Sequence, residues 1–231
     1  MLKLYDLAGA EPDRRFSPYC WRIKMALAHK GLEFETIPWR FTDKDIISPA
    51  GKAGRVPVLV DGEHWIDESG VIADYLEDKH PGRPSLFGGP AGRALTRFYQ
   101  SWTDTILHGA LLRLLVLDIW RHVDDKDRDY FRKSREERLG MTLEAAVADR
   151  EARLPALRET LTPVRLTLRA QPFLGGEQPL YADYIVFGAF QWARGISDFK
   201  LVAADDPVAA WRGRMLALHD GLGAKSKGYP V

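Results

Sequence analysis

The sequence predicts an α/β domain followed by an all-helical domain. Three observations carry this expectation: a strand–helix–strand alternation in the first forty residues, a cluster of proline and glycine around residue 85, and a composition rich in Leu, Ala, Arg and Glu beyond it. A strand, a crossover helix and a second strand imply parallel pairing, whereas a long stretch of good helix formers with few β-branched clusters implies helix packed on helix. The 231 residues suffice for one large or two modest domains with a well-buried core.

Leu2, Leu4 and Leu7, with Tyr5 between them, suit a short first strand, and residues 9–15 are polar and loop-like. Ser17-Pro18 then opens a helix. Serine is a favoured N-cap because its hydroxyl oxygen accepts from an otherwise orphan backbone N–H, and proline suits the first helical position because its missing N–H would be unpaired there. The helix runs to about His29 and stops at Lys30-Gly31, a basic last turn followed by the glycine that commonly ends a helix. Glu33 to Pro38 reads as the second strand. Residues 39–53, with Trp39 and Phe41, read as a loop holding one helical turn, so the expected order of the first domain is βαβαββα. Pro57 lacks a ladder donor and belongs at the start of a strand, which Val58-Leu59-Val60 continues, with Asp61-Gly62 as a hairpin turn and His64-Trp65-Ile66 returning. The Val56-Pro57 bond is open between cis and trans; the cis form would turn the Val56 backbone outward, where an extended peptide could pair with it. Glu68 and Ser69 precede Val71, Ile72, Tyr75 and Leu76 at helical spacing, which puts them at a second helix N-terminus.

From His80 to Gly92 seven of thirteen residues are proline or glycine, so the expected division is residues 1–80, a linker over 81–92, and a second domain over 93–231. Arg93 to His122 reads as one helix, with Tyr99, Trp102, Ile106, Leu107 and Ala110 along one face; such a stripe is more often core than ligand pocket. Residues 124–138 mix charge signs as a solvated surface does. Pro155 and Pro163 should break or kink this region, so at least two helices are expected between 128 and 170. Asp183 stands three residues after Leu180 at the start of another helix, half of a capping box, since Leu180 has no hydroxyl to reciprocate. A last helix spans about 207–221.

Lys and Arg total 33 against 32 Asp and Glu, a net charge of +1, which gives no general attraction for nucleic acid or an anionic membrane. No apolar run reaches membrane-spanning length, the opening residues do not read as a signal peptide, and a lone cysteine fits a reducing compartment; a soluble cytoplasmic protein is expected. Two helix N-termini, at Ser17 and at Glu68-Ser69, offer free N–H donors and partial positive charge to an anion. The competing reading is two plainly capped helices. Ser17 and Cys20 are spaced as a redox Cys-x-x-Cys pair would be, but the first position is serine, so a dithiol is impossible. Cys20 shares a helical face with Ile23 and Leu27 and reads as a small buried hydrophobe, with a reactive thiol as the alternative.

Together, the βαβ unit, Val56-Pro57 before a hairpin, Glu68-Ser69 opening the next helix, the linker and the helical second half resemble the glutathione transferase family over nearly the whole chain. Within it, Ser17-Pro18-Tyr19 with Trp21-Arg22, Lys30-Gly31, Arg55-Val56-Pro57-Val58, Asp205-Asp206-Pro207 and Asp220-Gly221-Leu222-Gly223 look most like the bacterial β-etherases and their fungal etherase-like relatives, which use glutathione to cleave aryl ethers of lignin-derived dimers. The resemblance implies a thioredoxin-like first domain, glutathione as co-substrate, no metal, no nucleic acid or membrane partner, and a homodimer. It makes Ser17 the catalytic hydroxyl that donates to the glutathione sulfur. It gives Val56 and Pro57 the cysteinyl backbone, Glu68 and Ser69 the γ-glutamyl end, and Asp183 the structural cap. A free thiol with a pKa of about 8.5 is only a few per cent ionised at pH ~7, so a hydroxyl donor at a helix N-terminus is the chemistry such an enzyme needs. The acceptor, a small apolar aromatic compound, is expected to meet Tyr19, Trp39, Tyr99, Trp102 and Ile106. A thiol-disulfide reductase working through Cys20, and a non-catalytic scaffold of the same fold, are the alternatives.

Overall fold

The structure, a computed structural model, describes residues 1–51 and 54–230. Four strands, β1 (Leu2–Leu7), β2 (Phe34–Trp39), β3 (Val58–Asp61) and β4 (His64–Asp67), form one mixed sheet in the order β2-β1-β3-β4. β1 and β2 are parallel, with Leu4 opposite Thr36; β3 runs antiparallel to both β1 and β4, with Leu59 opposite Leu4 and Ile66. The parallel pair follows from the crossover helix α1 (Pro18–His29), which ends at Lys30 with Gly31 at φ 61°. In place of the second helix of the expected order, Lys44–Ala50 forms a 3₁₀ helix that contains Pro49, whose missing N–H and fixed ring do not suit an α-helical interior. Helix α2 (Ser69–Lys79) completes this domain.

The second domain is helical throughout. Residues 90–122 are not one α-helix: α3 (Pro90–Trp102) begins three residues before the expected Arg93, with proline in its first turn. It passes through a five-residue π segment, Thr103–Leu107, into α4 (His108–His122). Helices α5 (Arg128–Leu139), α6 (Leu143–Val147), α7 (Arg150–Thr160) and α8 (Thr162–Ala170) follow. These four meet the expectation of at least two helices over 128–170; of the two prolines expected to break or kink the region, Pro163 opens α8, and Pro155 lies inside α7, which persists without a bond from that position. Helix α9 (Tyr181–Ile196) is the buried axis of the molecule, and α10 (Pro207–Gly221) closes it. A Cβ at Gly188 of α9 would meet the Pro18 carbonyl, so glycine is what allows α9 to approach the start of α1.

Asp183, fully buried, does more than half a capping box. Its carboxylate accepts from Leu180 N–H at 3.0 Å, Leu174 N–H at 2.7 Å, Gly175 N–H at 2.9 Å and Trp211 Nε1–H at 2.9 Å. Leu180 contributes no hydroxyl, and the three donors from the turn and α10 supply what the missing half does not. No described helix is long and apolar enough to cross a membrane.

Candidate active site

Ser17 sits at the N-terminus of α1, where the chain leaves β1 and turns back against the sheet. Its backbone is extended, as an N-cap requires, and its Oγ accepts from Cys20 N–H at 3.2 Å. The residue is buried, yet it lines a cavity of about 380 Å³ between the two domains. One lone pair is used by the helix, and the hydroxyl proton is free to donate.

A second, smaller cavity of about 170 Å³ adjoins the first. It is lined by Val56, Pro57, Asp67, Glu68 and Ser69, and the two share Tyr19, Arg55, Val56 and Asp104. The Val56–Pro57 bond is cis. Glu68 precedes α2 with φ 63°, a left-handed conformation that non-glycine residues seldom adopt, and its side chain makes no cap bond to the first turn of α2. Ser69 behind it is buried and fixed from the other domain, its carbonyl accepting from Tyr181 Oη–H at 2.8 Å. Two helix N-termini flank this space, with Val56 and Pro57 on its wall, an arrangement that suits a ligand with carboxylate groups.

Of the sequence-expected acceptor residues, Tyr19 and Trp39 line the larger cavity, and Tyr99, Trp102 and Ile106 do not. Tyr99 and Trp102 pack partly buried against the core, and Ile106 is exposed to solvent. For Ile106 the π segment is the reason; Tyr99 and Trp102 precede it and pack on the core. A wider turn shifts the phase of everything after it, so Leu107 and His108 turn inward where a regular helix would present Ile106.

In their place the structure brings Asp104 and His108 to the cavity, residues that periodicity did not flag. Asp104 bonds the fully buried Arg22 at 2.5 Å, whose guanidinium lies 4.6 Å from the centre of the Tyr19 ring. His108 Nδ1 lies 3.3 Å from Tyr19 Oη and 3.6 Å from Asp104 Oδ1. Burial, reinforced by the Arg22 charge, pushes the His108 pKa down to about 3, so the ring is neutral at physiological pH. Burial and the Asp104 carboxylate push the Tyr19 phenol up. The far wall is carried by α5 and by Phe41, which are tied together by Asp127, whose carboxylate accepts from Phe41 N–H at 2.8 Å and from Thr42 N–H at 3.1 Å.

Cys20 is fully buried and faces the sheet, with its sulfur 3.8 Å from the Tyr5 carbonyl and no exposure to either cavity. Burial first, and the Asp6 charge second, push its thiol well above the usual range, the opposite of what a nucleophilic cysteine needs. A larger groove of about 740 Å³, between the end of α9 and α10, contains none of the expected site residues. No group of three or more metal-ligating side chains occurs among the described residues.

Comparison with known families decides what this arrangement is. The glutathione S-transferase N-terminal domain matches residues 12–84, and the glutathione S-transferase C-terminal domain matches residues 94–217, more than half of the chain. The chain belongs to the glutathione S-transferase family. A probable glutathione S-transferase of rice, GSTU6, is 29% identical over 215 residues, covering 87% of this chain and 81% of its own length. Among solved structures, a glutathione S-transferase of Ceriporiopsis subvermispora in complex with glutathione superposes with a TM-score of 0.79 at 22% identity, over 95% of this chain and 96% of that one. Glutathione transferase GSTFuA2 of Phanerochaete chrysosporium gives 0.72 at 26% identity, over 95% and 92%. Glutathione is the family's co-substrate, and the sheet domain with its helical partner is the glutathione S-transferase fold.

Proposed function

We propose that the protein transfers glutathione to an aromatic acceptor by nucleophilic substitution, with cleavage of β-aryl ethers from lignin-derived dimers as its reaction. The observation that carries this reading is the pair of joined cavities: a small one with two helix N-termini and Val56, and a larger one walled by aromatic rings and by Ser17. Residues 1–80 hold glutathione, with its cysteinyl backbone along Val56 and Pro57 and its γ-glutamyl end on Glu68 and Ser69. The helical part, 93–231 after the 81–92 linker, completes the acceptor site with Tyr19 and Trp39. The Ser17 hydroxyl donates to the sulfur while its oxygen stays bonded to Cys20 N–H, so capping and thiolate stabilisation use different parts of one group.

The ether assignment rests on the subgroup motifs around Ser17-Pro18-Tyr19 and Arg55-Val56-Pro57. In a dimer with a keto group beside the ether carbon, the thiolate forms a C–S bond at that carbon as the C–O bond breaks. The phenolate leaves with the electron pair and takes a proton from water. Leu95 and Phe98, one turn apart on α3, are exposed, as are Val71 of α2 and Ile106, and such exposed apolar side chains support a homodimer. The lone, buried cysteine agrees with a cytoplasmic setting.

Incubation with glutathione and a keto β-aryl ether dimer, followed by mass spectrometry, tests the proposal. It predicts equimolar phenol and glutathione thioether. Conjugation of an activated aryl halide without phenol release would retain a transferase and remove the etherase. Absence of glutathione binding by calorimetry would leave a scaffold, and oxidised glutathione without thioether would restore the reductase reading.

A further inference from the structure

We propose that the acceptor is an aromatic carboxylate, with Arg135 and Arg138 of α5 holding its anionic end at the outer wall of the larger cavity. The inference rests on the transferase reading and refines the apolar acceptor expected from the sequence.

Arg135 and Arg138 are one helical turn apart and therefore share a face of α5, and both line the cavity. The other arginines of the same helix are matched, Arg132 bonding Glu136 at 2.9 Å and Glu144 at 2.8 Å and Arg128 meeting Asp125 at 3.2 Å, while the exposed Lys133 is not among the cavity's lining residues. Among the described residues no carboxylate comes within 4.0 Å of either Arg135 or Arg138, and the side-chain partner of Arg135 is the Ser134 hydroxyl at 2.9 Å. Arg135 is also set in place by aromatic faces, its guanidinium 4.7 Å from the centre of Phe131 and 5.4 Å from that of Phe41. Burial holds it below the usual guanidinium range, but arginine remains charged at neutral pH.

The other charges on the wall do not cancel this pair. Asp104 is already bonded to Arg22, and Arg55 faces Glu68 at 3.6 Å. The cavity therefore presents two unmatched cations, Arg135 partly desolvated and Arg138 at the exposed rim, next to rings that would hold an aromatic body. A planar guanidinium fork matches a carboxylate, and an incoming anion offsets the cost of holding those charges out of water. A neutral aromatic ligand would leave them unpaired.

The test compares two activated halides that differ by one group, chlorodinitrobenzene and chlorodinitrobenzoate, each kcat/KM divided by its uncatalysed rate constant with glutathione. In both, sulfur bonds the chlorinated ring carbon, chloride leaves with the C–Cl pair, and the thiol proton goes to water. The wild type should favour the benzoate by about tenfold or more, the size of a charged hydrogen bond, and the preference should shrink as salt is added. Arg138→Gln should reduce the ratio by about threefold or more, and Arg135→Gln/Arg138→Gln should bring it near one, with partial retention in Arg135→Lys/Arg138→Lys. Arg138 is exposed, so its single variant and the wild-type salt dependence remain decisive if the double variant does not fold. Turnover of the neutral halide with a wild-type ratio near one, or a ratio unmoved by the substitutions, overturns the carboxylate inference alone. No conjugation of either halide by the folded wild type removes the transferase reading and this inference with it.

Discussion

Replacing Ser17 by alanine separates two contributions that one hydroxyl makes. As an N-cap, Ser17 Oγ accepts from Cys20 N–H at 3.2 Å in a buried setting, and losing such a cap costs about 1 kcal/mol of stability, with a usual span of about 0.5–2. As a donor to a charged sulfur it would be worth about 1.5–3 kcal/mol, and at about 1.4 kcal/mol per pKa unit its loss raises the bound thiol by about one to two units. If the wild-type complex titrates about two units below the free value of ~8.5, thiolate is the major species at pH ~7; the variant would hold on the order of a tenth. Cys20 N–H, released from its cap bond, becomes a donor to the sulfur, so a reduced rate is expected rather than none. The assay is the ultraviolet absorbance of the bound thiolate against pH, together with the pH profile of kcat/KM. Ser17→Ala should lose about three- to twenty-fivefold at pH ~7 and recover as pH rises. Cys20→Ser is the control: its side chain is sealed from both cavities, so its turnover should follow folded protein, with a cost of about 1–3 kcal/mol if the new hydroxyl finds no partner. An unchanged Ser17→Ala profile beside an inactive but folded Cys20→Ser would refute the reasoning and make this a cysteine enzyme.

Glu68→Ala should weaken glutathione binding by about 1.5–3 kcal/mol in calorimetry. The melting temperature should barely move, because the exposed Arg55–Glu68 contact at 3.6 Å is a weak surface pair; unchanged affinity would remove Glu68 from the glutathione site. Acid should destabilise the fold through histidines kept neutral by burial, chiefly His108, with its pKa near about 3, and also His29 and His219. A histidine whose folded pKa is depressed favours the folded state fully above its unfolded value of about 6.5. That contribution is lost as pH falls from there toward the folded pKa, by about 1.4 kcal/mol per unit for a group as buried as His108. Thermal melts of wild type and His108→Gln between pH ~7.5 and ~5 should show the shallower slope in the variant; parallel slopes would mean that His108 protonates readily in the folded protein.

Local signals settled much of this protein in advance, because each is decided within a few residues. Ser17-Pro18 fixed the start of α1, Lys30-Gly31 its end, Asp61-Gly62 the hairpin, and the proline and glycine cluster the place where strands give way to helices. Even so, Pro155 shows that a strong local preference can yield, since α7 continues through it where neighbouring turns and packing hold the chain helical. The buried carboxylate of Asp183 was legible only as half a cap, because its donors at Leu174, Gly175 and Trp211 come from a turn and a helix that meet it through folding.

The wall of the larger cavity, the proposed acceptor site, was the part that only tertiary structure decided. A stripe read at 3.6 residues per turn pointed to Tyr99, Trp102 and Ile106, but the π segment at Thr103–Leu107 advanced the phase, turning Ile106 out and His108 in. Nothing in the spacing of Asp104, His108, Arg135 and Arg138 announces a common site, since it takes α1, α4, α5 and the Phe41 loop to bring them around one cavity. Periodicity reports which residues share a face of one element. Which faces of different elements meet, and which charges are left without a partner when they do, depends on packing across the whole chain.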